Sequence, residues 1–130
     1  MKLSILMPVY NEVATLQSAV KEVLAVDYPC DIELVIVDDG STDGTRDLYP
    51  TLQDDPRVSV HLHEVNQGKG AAIRTAGRVA TGEYVIPCDA DLEYMPAEIP
   101  ALLGPVLAQY PLRAVAYFLW LSGFWGLVRR

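Results

Sequence analysis

Two apolar segments near the start of the chain are almost uninterrupted, and the segment between them is periodic. LSILMPV (residues 3–9) and IELVIV (residues 32–37) have the aliphatic character of strands that are covered on both faces. From Glu12 to Leu24, apolar residues recur at helical spacing. The pattern therefore predicts a strand, a helix and a second strand.

The alternation of strand and helix patterns continues along the chain. Turn residues after the second strand lead into a short helix, which we expect to end near Pro50 because proline lacks the N–H that a helix interior needs. The alternating segment 58–63 predicts a third strand, the glycine-opened segment 68–80 a helix, and segment 83–91 a fourth strand that ends in acids. Pro96 is expected to begin a further helix.

Strands that alternate with helices predict an α/β fold with a parallel sheet and right-handed crossovers. In such open sheets, ligands bind beyond the carboxyl ends of the strands. Four polar or glycine-rich segments fall at those ends, so we expect one crevice to collect them. They are Pro8–Glu12, Asp38–Asp39, Gly68–Gly70 and Asp89–Asp91.

Composition narrows the function classes. The chain has 130 residues, which is about one domain, and 51% of them are hydrophobic, as in an ordinary globular protein. A net charge of −7 argues against nucleic acid as a partner, because phosphate contacts need clustered Lys and Arg. The N-terminal segment becomes polar too soon for a signal peptide, and Cys30 and Cys88 form no CxxC pair. We therefore expect a cytoplasmic protein with buried thiols.

Two acidic pairs are the candidate chemistry of the predicted crevice. Asp89 and Asp91, one small residue apart after an apolar strand, suit a hard divalent cation, although a DxD pair alone is a weak signal. Asp38 and Asp39 could accept hydrogen bonds from ribose hydroxyls or base N–H groups, or could simply cap a turn. No GxGxxG follows the first strand, and NQGKG lacks the spacing of a P-loop.

The two histidines of the third predicted strand offer a weaker signal. His61 and His63 are two residues apart and so face the same side of a strand, as a pair of metal ligands would. No third ligand lies nearby in the sequence. We therefore expect these histidines to have surface or packing roles.

Four segments in this order resemble the nucleotide-sugar-binding half of family 2 glycosyltransferases with the GT-A fold. They are SILMPVYNE, VIVDDGSTDGT, NQGKGAAIRTA and ATGEYVIPCDADLEYMPAEIPALLGPVL. The resemblance covers residues 3 to 109 and is closest to the polyprenyl-phosphate (dolichol-phosphate) mannosyl- and glucosyltransferases. It implies a Rossmann-like, mostly parallel sheet flanked by helices, with a nucleotide-sugar-binding domain at residues 1–109.

The resemblance also implies a role for individual residues. In the family, the equivalent carboxylates hold Mg²⁺ or Mn²⁺ on the diphosphate, and Asp89 and Asp91 are accordingly the implied catalytic residues. Glu93 occupies a position where the family often has a glutamine as a further metal ligand. Base and ribose would be held by Pro8, Tyr10, Glu12, Val37 and Asp39, the diphosphate and metal by Asp89, Ala90, Asp91 and Glu93, and Lys69 would lie near the sugar nucleotide.

The implied reaction is transfer of mannose or glucose, with inversion, from GDP-mannose or UDP-glucose to a polyprenyl phosphate. A lipid phosphate already carries negative charge and needs little help from a general base. The enzyme would then work at the cytoplasmic face of a membrane, where this acceptor lies. Two alternatives are an inactive nucleotide-sugar-binding fragment and a flavodoxin-like or response-regulator-like domain; the combination of PVYNE with DAD counts against the second.

Residues 110–130 form an apolar tail that departs from the family pattern. The family continues with a strand and a YGSR segment, whereas this chain has RAVAYFLWLSGFWGLVRR. One set of codons for Leu119–Trp125, read one base later, encodes Tyr-Gly-Ser-Arg-Val-Phe, so the tail is hypothesised to be out of frame. The alternative is a genuine apolar C-terminus. A truncated domain would have an unpaired strand edge and would transfer no sugar by itself.

Overall fold

The computed structural model describes residues 1–93, 95–108 and 128–129. None of the helices among these residues has the length and apolar character needed to cross a membrane. The strands are β1 (Lys2–Val9), β2 (Asp31–Asp38), β3 (Val58–Leu62), β4 (Tyr84–Pro87) and β5 (Val128–Arg129). The helices are α1 (Leu16–Ala25), α2 (Tyr49–Leu52), α3 (Lys69–Val79) and α4 (Ile99–Leu107), with 3₁₀ turns at Thr45–Leu48 and Pro96–Glu98.

The strands form one sheet in the order β3-β2-β1-β4-β5. Strands β1 to β4 are mutually parallel, and β5 runs antiparallel to β4. The register pairs Val9 with Asp38, so β1 and β2 end side by side. The predicted α/β fold with a mostly parallel sheet is therefore confirmed.

The sheet is covered on both faces, which explains the continuous apolar strands. Alternate residues of β1, Leu3 to Val9, pack with α1 and α4 on one face. On the other face, Leu6 packs with residues of β2 and with three alanines in α3 or directly after it. Because alanine side chains are small, they let the α3 backbone lie close to the sheet. The three alanines are Ala72, Ala76 and Ala80.

Two helix boundaries differ from the sequence prediction. Helix α1 begins at Leu16 and not at Glu12, because Glu12 O accepts the backbone N–H groups of Thr15 and Leu16 in a turn that precedes the helix. The predicted short helix corresponds to the 3₁₀ turn Thr45–Leu48, which ends two residues before Pro50, but helix α2 follows it directly. Pro50 instead lies in the first turn of α2, where its missing N–H costs no hydrogen bond.

The C-terminal end of β4 and the pairing of its outer edge also differ from expectation. β4 ends at Pro87, after which Cys88 N–H donates to Leu6 O, so the acids at 89 and 91 lie in a loop. The expected unpaired strand edge was wrong at Tyr84 and Val85, which pair with β5. The hypothesis of an out-of-frame tail concerns residues 110–130, which lie outside the described residues except for 128–129.

Candidate functional site

A cleft of about 300 Å³ lies at the carboxyl ends of β1, β2 and β4, beside the start of α3. Residues from all four predicted segments meet there, as expected from the parallel topology. The lining residues are Pro8, Val9, Tyr10, Glu12, Asp39, Asn66, Gly68, Lys69, Ala72, Asp89, Ala90 and Asp91.

Asp38 is a structural residue at the end of β2. Its side chain is fully buried, Oδ1 accepts Ser41 N–H at 2.9 Å and Arg46 Nε at 3.2 Å, and Oδ2 accepts the Tyr49 hydroxyl at 2.6 Å. Burial raises the pKa of Asp38, but these donors outweigh burial and the pKa lies below its usual value. The expectation that Asp38 faces a ligand was therefore wrong, because its side chain is fully buried and is not among the residues that line the cleft.

Asp39 is buried too, yet it lines the cleft. Its Oδ1 accepts Gln67 N–H at 2.9 Å and lies 2.8 Å from His63 Nδ1, while Oδ2 accepts Gly68 N–H at 2.8 Å. Burial raises the pKa of Asp39 and these hydrogen bonds lower it further than burial raises it, so the group is ionised at neutral pH. A carboxylate has about four acceptor positions, so these three bonds leave room for one more.

The adjacent carboxylates therefore do not depend on solvent or ligand to screen their repulsion. Each points to a different set of protein donors, Asp38 toward Tyr49 and Asp39 toward the loop before α3. Gly40, which follows Asp39 directly, lets this turn pack against the loop before α3. A Cβ at Gly40 would lie 2.6 Å from Asn66 N and 2.8 Å from Val65 C, and its φ is +81°.

The loop after β1 is held by the turn that follows β2. Asn11 has a positive φ of 52°, its N–H donates to Ser41 Oγ at 2.9 Å, and its Oδ1 accepts Thr42 N–H at 2.8 Å. Glu12 N–H donates to Thr45 Oγ1 at 3.1 Å. These bonds leave Tyr10 about half exposed at the cleft, with Glu12 beside it.

The loop that carries Asp89 and Asp91 is held from two sides. Thr15, before α1, places its hydroxyl oxygen 2.6 Å from Ala90 O, and Ala90 is buried. On the cleft side, Lys69 Nζ donates to Asp89 Oδ2 at 2.7 Å. Hydrogen bonds from residues at the N-terminal ends of α1 and α3 therefore hold the Asp89–Asp91 loop in place.

Two of the predicted site residues do not reach the cleft. Val37 is fully buried against α3, because strand alternation puts its side chain on the same face as Val35. Glu93 donates its backbone N–H to Asp91 Oδ1 at 3.1 Å in a turn, and its side chain is exposed. Residues 1–93 and 95–108 contain no group of three or more carboxylates, histidines or cysteines placed to hold a metal. The predicted set of Asp89, Asp91 and Glu93 is therefore not assembled.

Sequence reasoning missed the contributions of Asn66 and His63. Asn66 lines the cleft from the loop before α3. His63 was expected to have only a surface or packing role, but its ring contacts Asp39. The parallel register supplies the missing signal: Leu62 pairs with Asp38, so the residue after Leu62 lies beside Asp39.

The electrostatics of the cleft lining are predominantly acidic. Four carboxylates, those of Glu12, Asp39, Asp89 and Asp91, lie in the same lining as one ammonium group, that of Lys69. Such a cleft repels a bare diphosphate and attracts cations. An anionic ligand therefore needs a cation bound with it.

Comparison with known proteins identifies sugar transferases among the relatives of this chain. Over 115 residues, the chain is 36% identical to the undecaprenyl-phosphate 4-deoxy-4-formamido-L-arabinose transferase of Aeromonas hydrophila, with 82% of this chain and 34% of that protein covered. The mannosyltransferase PcManGT of Pyrobaculum calidifontis, solved with GDP-Man and Mn²⁺, superimposes with a TM-score of 0.70 at 30% identity, with 78% of this chain and 31% of that chain covered.

A second similar structure is TarS 1-349 of S. aureus in complex with UDP-GlcNAc, with a TM-score of 0.68 and 28% identity, and with 92% of this chain and 31% of that chain covered. The chain spans about a third of the length of the curated relatives that it matches. The model of the family named Glycosyl transferase family 2 matches residues 4–117. On the strength of that match and of the GT-A neighbours, this chain belongs to glycosyl transferase family 2.

Proposed function

We propose that the cleft binds a nucleotide sugar together with a divalent cation, and that the chain is the donor-binding part of a glycosyltransferase. The observation that carries the proposal is the acidic cleft at the carboxyl ends of the strands, which Asp39 and the Asp89–Asp91 loop both line. It is supported by PcManGT, whose structure contains GDP-Man and Mn²⁺.

Asp89 and Asp91 would hold Mg²⁺ or Mn²⁺. Their carboxylate oxygens are the ligands that these hard cations prefer, and both line the cleft. Asp89 already has a cation beside it, since Lys69 Nζ lies 2.7 Å from Oδ2. The bound ion would neutralise charge that develops on the diphosphate as it leaves. Two protein carboxylates suit Mg²⁺ or Mn²⁺, which commonly complete their shells with phosphate oxygens and water.

The remaining residues of the cleft would orient the donor. Tyr10 presents an exposed ring against which a base can stack, and Pro8 also lines the cleft. Glu12 and the remaining acceptor position of Asp39 suit hydroxyl or N–H donors of the nucleoside. Lys69 is close enough to the Asp89 loop to contact the diphosphate when the cation occupies that loop.

The acceptor would be a polyprenyl phosphate, as the name of the Aeromonas relative indicates for that protein. A phosphate oxygen of the lipid would attack the anomeric carbon from the side opposite the diphosphate, so the sugar would be transferred with inversion. Mannose from GDP-mannose and glucose from UDP-glucose are the proposed donors. Because the acceptor is a lipid, the reaction would take place at the cytoplasmic face of a membrane.

The experiment that tests this proposal combines binding with transfer. GDP-mannose and UDP-glucose are titrated into the chain with Mn²⁺, and radiolabelled donors are then incubated with the chain and undecaprenyl phosphate in detergent. Binding of one donor is expected. Label in the lipid would show that residues 1–130 also provide the acceptor site, whereas binding without label would identify a donor-binding part. No binding of either donor would contradict the proposal.

A further inference from the structure

Each polar group of His63 has a hydrogen-bond partner in the protein. Its backbone N–H donates to Asp38 O at 2.8 Å, and its backbone O accepts Arg46 Nη2 at 2.6 Å. In the ring, Nδ1 lies 2.8 Å from Asp39 Oδ1, and Nε2 lies 2.8 Å from Thr75 Oγ1. Only 10% of the side chain is exposed. The ring therefore bridges α3 to the end of β2 in one fixed orientation.

The proton positions follow from the partners. Asp39 is an ionised carboxylate and can only accept, so Nδ1 must carry the hydrogen in this bond. In the neutral ring Nε2 is then an acceptor, and the Thr75 hydroxyl donates to it. Asp39 thereby selects the tautomer, and the Thr75 hydroxyl, which can donate or accept, holds the other side of the ring.

Asp39 connects the fixed ring of His63 to the wall of the cleft. Its two oxygens also accept the N–H groups of Gln67 and Gly68, which form the loop directly before α3. That loop supplies Asn66 and Gly68 to the cleft lining, and Lys69 follows as the first residue of α3. The position of the Asp39 carboxylate therefore determines both its remaining acceptor position and the shape of one wall of the cleft.

We propose that His63 is a positioning residue of the donor site, which rests on the proposed function. His63 is not among the residues that line the cleft, and it acts through Asp39. Without the ring, the Asp39 carboxylate loses one of three hydrogen bonds and can rotate, so the Gln67 and Gly68 amides lose a fixed acceptor. Donor affinity then falls although no group that touches the donor has changed.

The test uses three variants of the full chain. His63→Leu removes both ring bonds, and His63→Asn keeps a side-chain N–H close to the position of Nδ1. His61→Leu is the matched control, since His61 lies two residues earlier on β3 and outside the cleft lining. For each variant we measure the Kd of GDP-mannose and UDP-glucose with Mn²⁺, and the hydrogen exchange of the Gln67 and Gly68 amides without ligand.

We expect His63→Leu to weaken donor binding about tenfold, the effect of losing one charge-assisted hydrogen bond. It should also speed exchange at Gln67 and Gly68 selectively, while His63→Asn restores most of both and His61→Leu changes neither. Unchanged amide exchange in His63→Leu would overturn the proposal, as would unchanged donor affinity in a wild-type chain that binds. A wild-type chain that binds no donor would contradict the proposed function, and the exchange data would still decide the role of His63.

Discussion

The two ends of the sheet each contain a carboxylate surrounded by protein donors, and of these two only Asp39 lines the cleft described above. At the amino end, Glu33 accepts the Ser4 hydroxyl and Thr81 N–H, both at 2.5 Å, and pairs with Lys2 Nζ at 3.2 Å. At the carboxyl end, Asp39 accepts three donors and also lines the cleft.

The difference lies in what surrounds each cluster. The amino-end cluster is closed by Gly82, whose N–H donates to Ser4 Oγ at 2.8 Å, and where a Cβ would lie 2.6 Å from the same oxygen. The carboxyl-end cluster instead borders a cleft of about 300 Å³. A carboxylate held by protein donors therefore indicates stability in itself, and indicates function only where it also lines a cleft.

The largest expected effect on the free energy of unfolding comes from Asp38, the structural acid at the carboxyl end of the sheet. Asp38→Ala leaves the Tyr49 hydroxyl, the Arg46 guanidinium and Ser41 N–H without their acceptor. We expect the free energy of unfolding to fall by about 3 kcal/mol, because buried donors lose their partner. Urea unfolding at pH 7 measures this change. A loss below about 1 kcal/mol would show that solvent replaces Asp38, and that the end of β2 is more open than described.

The second-largest expected effect tests the close packing at the amino end of the sheet. Gly82→Ala forces a Cβ against Ser4 Oγ and Lys2 O, and we expect a loss of about 2 kcal/mol in the free energy of unfolding. Gly77→Ala is the matched control, since Gly77 lies in α3 with nothing within 4 Å of its added Cβ. That variant should gain about 0.5 to 1 kcal/mol from helix propensity. Equal effects of the two substitutions would contradict the described closure of the amino end.

The smallest effect is a pH dependence at the amino end. Burial raises the pKa of Glu33, but hydrogen bonds from Ser4, Thr81 and Lys2 lower it further, from 4.5 to about 2. A carboxyl group whose pKa is depressed on folding stabilises the protein above its unfolded pKa, and this contribution is lost as the pH falls toward 2.

Chemical unfolding between pH 7 and pH 2 tests this contribution in Glu33→Gln. The variant should lose about 1 to 2 kcal/mol less than the wild type over this range, a reduced figure because Lys2 is 41% exposed. Identical pH profiles would show that Glu33 titrates with an ordinary pKa.

The sequence predicted the order of strands and helices because apolar periodicity reports burial directly, as in the continuous runs of β1 and β2. It also placed Tyr10, Glu12, Asp39 and the DAD segment at one edge, since parallel strands share that edge. It did not predict which of the two adjacent aspartates, Asp38 or Asp39, is excluded from the cleft.

That distinction depends on contacts between residues distant in sequence, such as Asp38 with Tyr49 and Asp39 with Gly68. Val37 was misplaced for a similar reason, because periodicity does not say which face of a fully covered strand carries a ligand. Glu93 was assigned from the family pattern, and a local turn at Asp91 directs its side chain away from the cleft lining.

The central claim is that Asp89 and Asp91 hold a divalent cation on a nucleotide sugar. The most direct measurement is calorimetric titration of GDP-mannose and UDP-glucose into the wild type, Asp91→Asn and Glu93→Gln, each with Mn²⁺ and with EDTA. We expect metal-dependent binding in the wild type, a loss of about tenfold or more in Asp91→Asn, and a change of less than about twofold in Glu93→Gln. Equal affinity with and without the metal, or a larger loss in Glu93→Gln than in Asp91→Asn, would contradict the central claim.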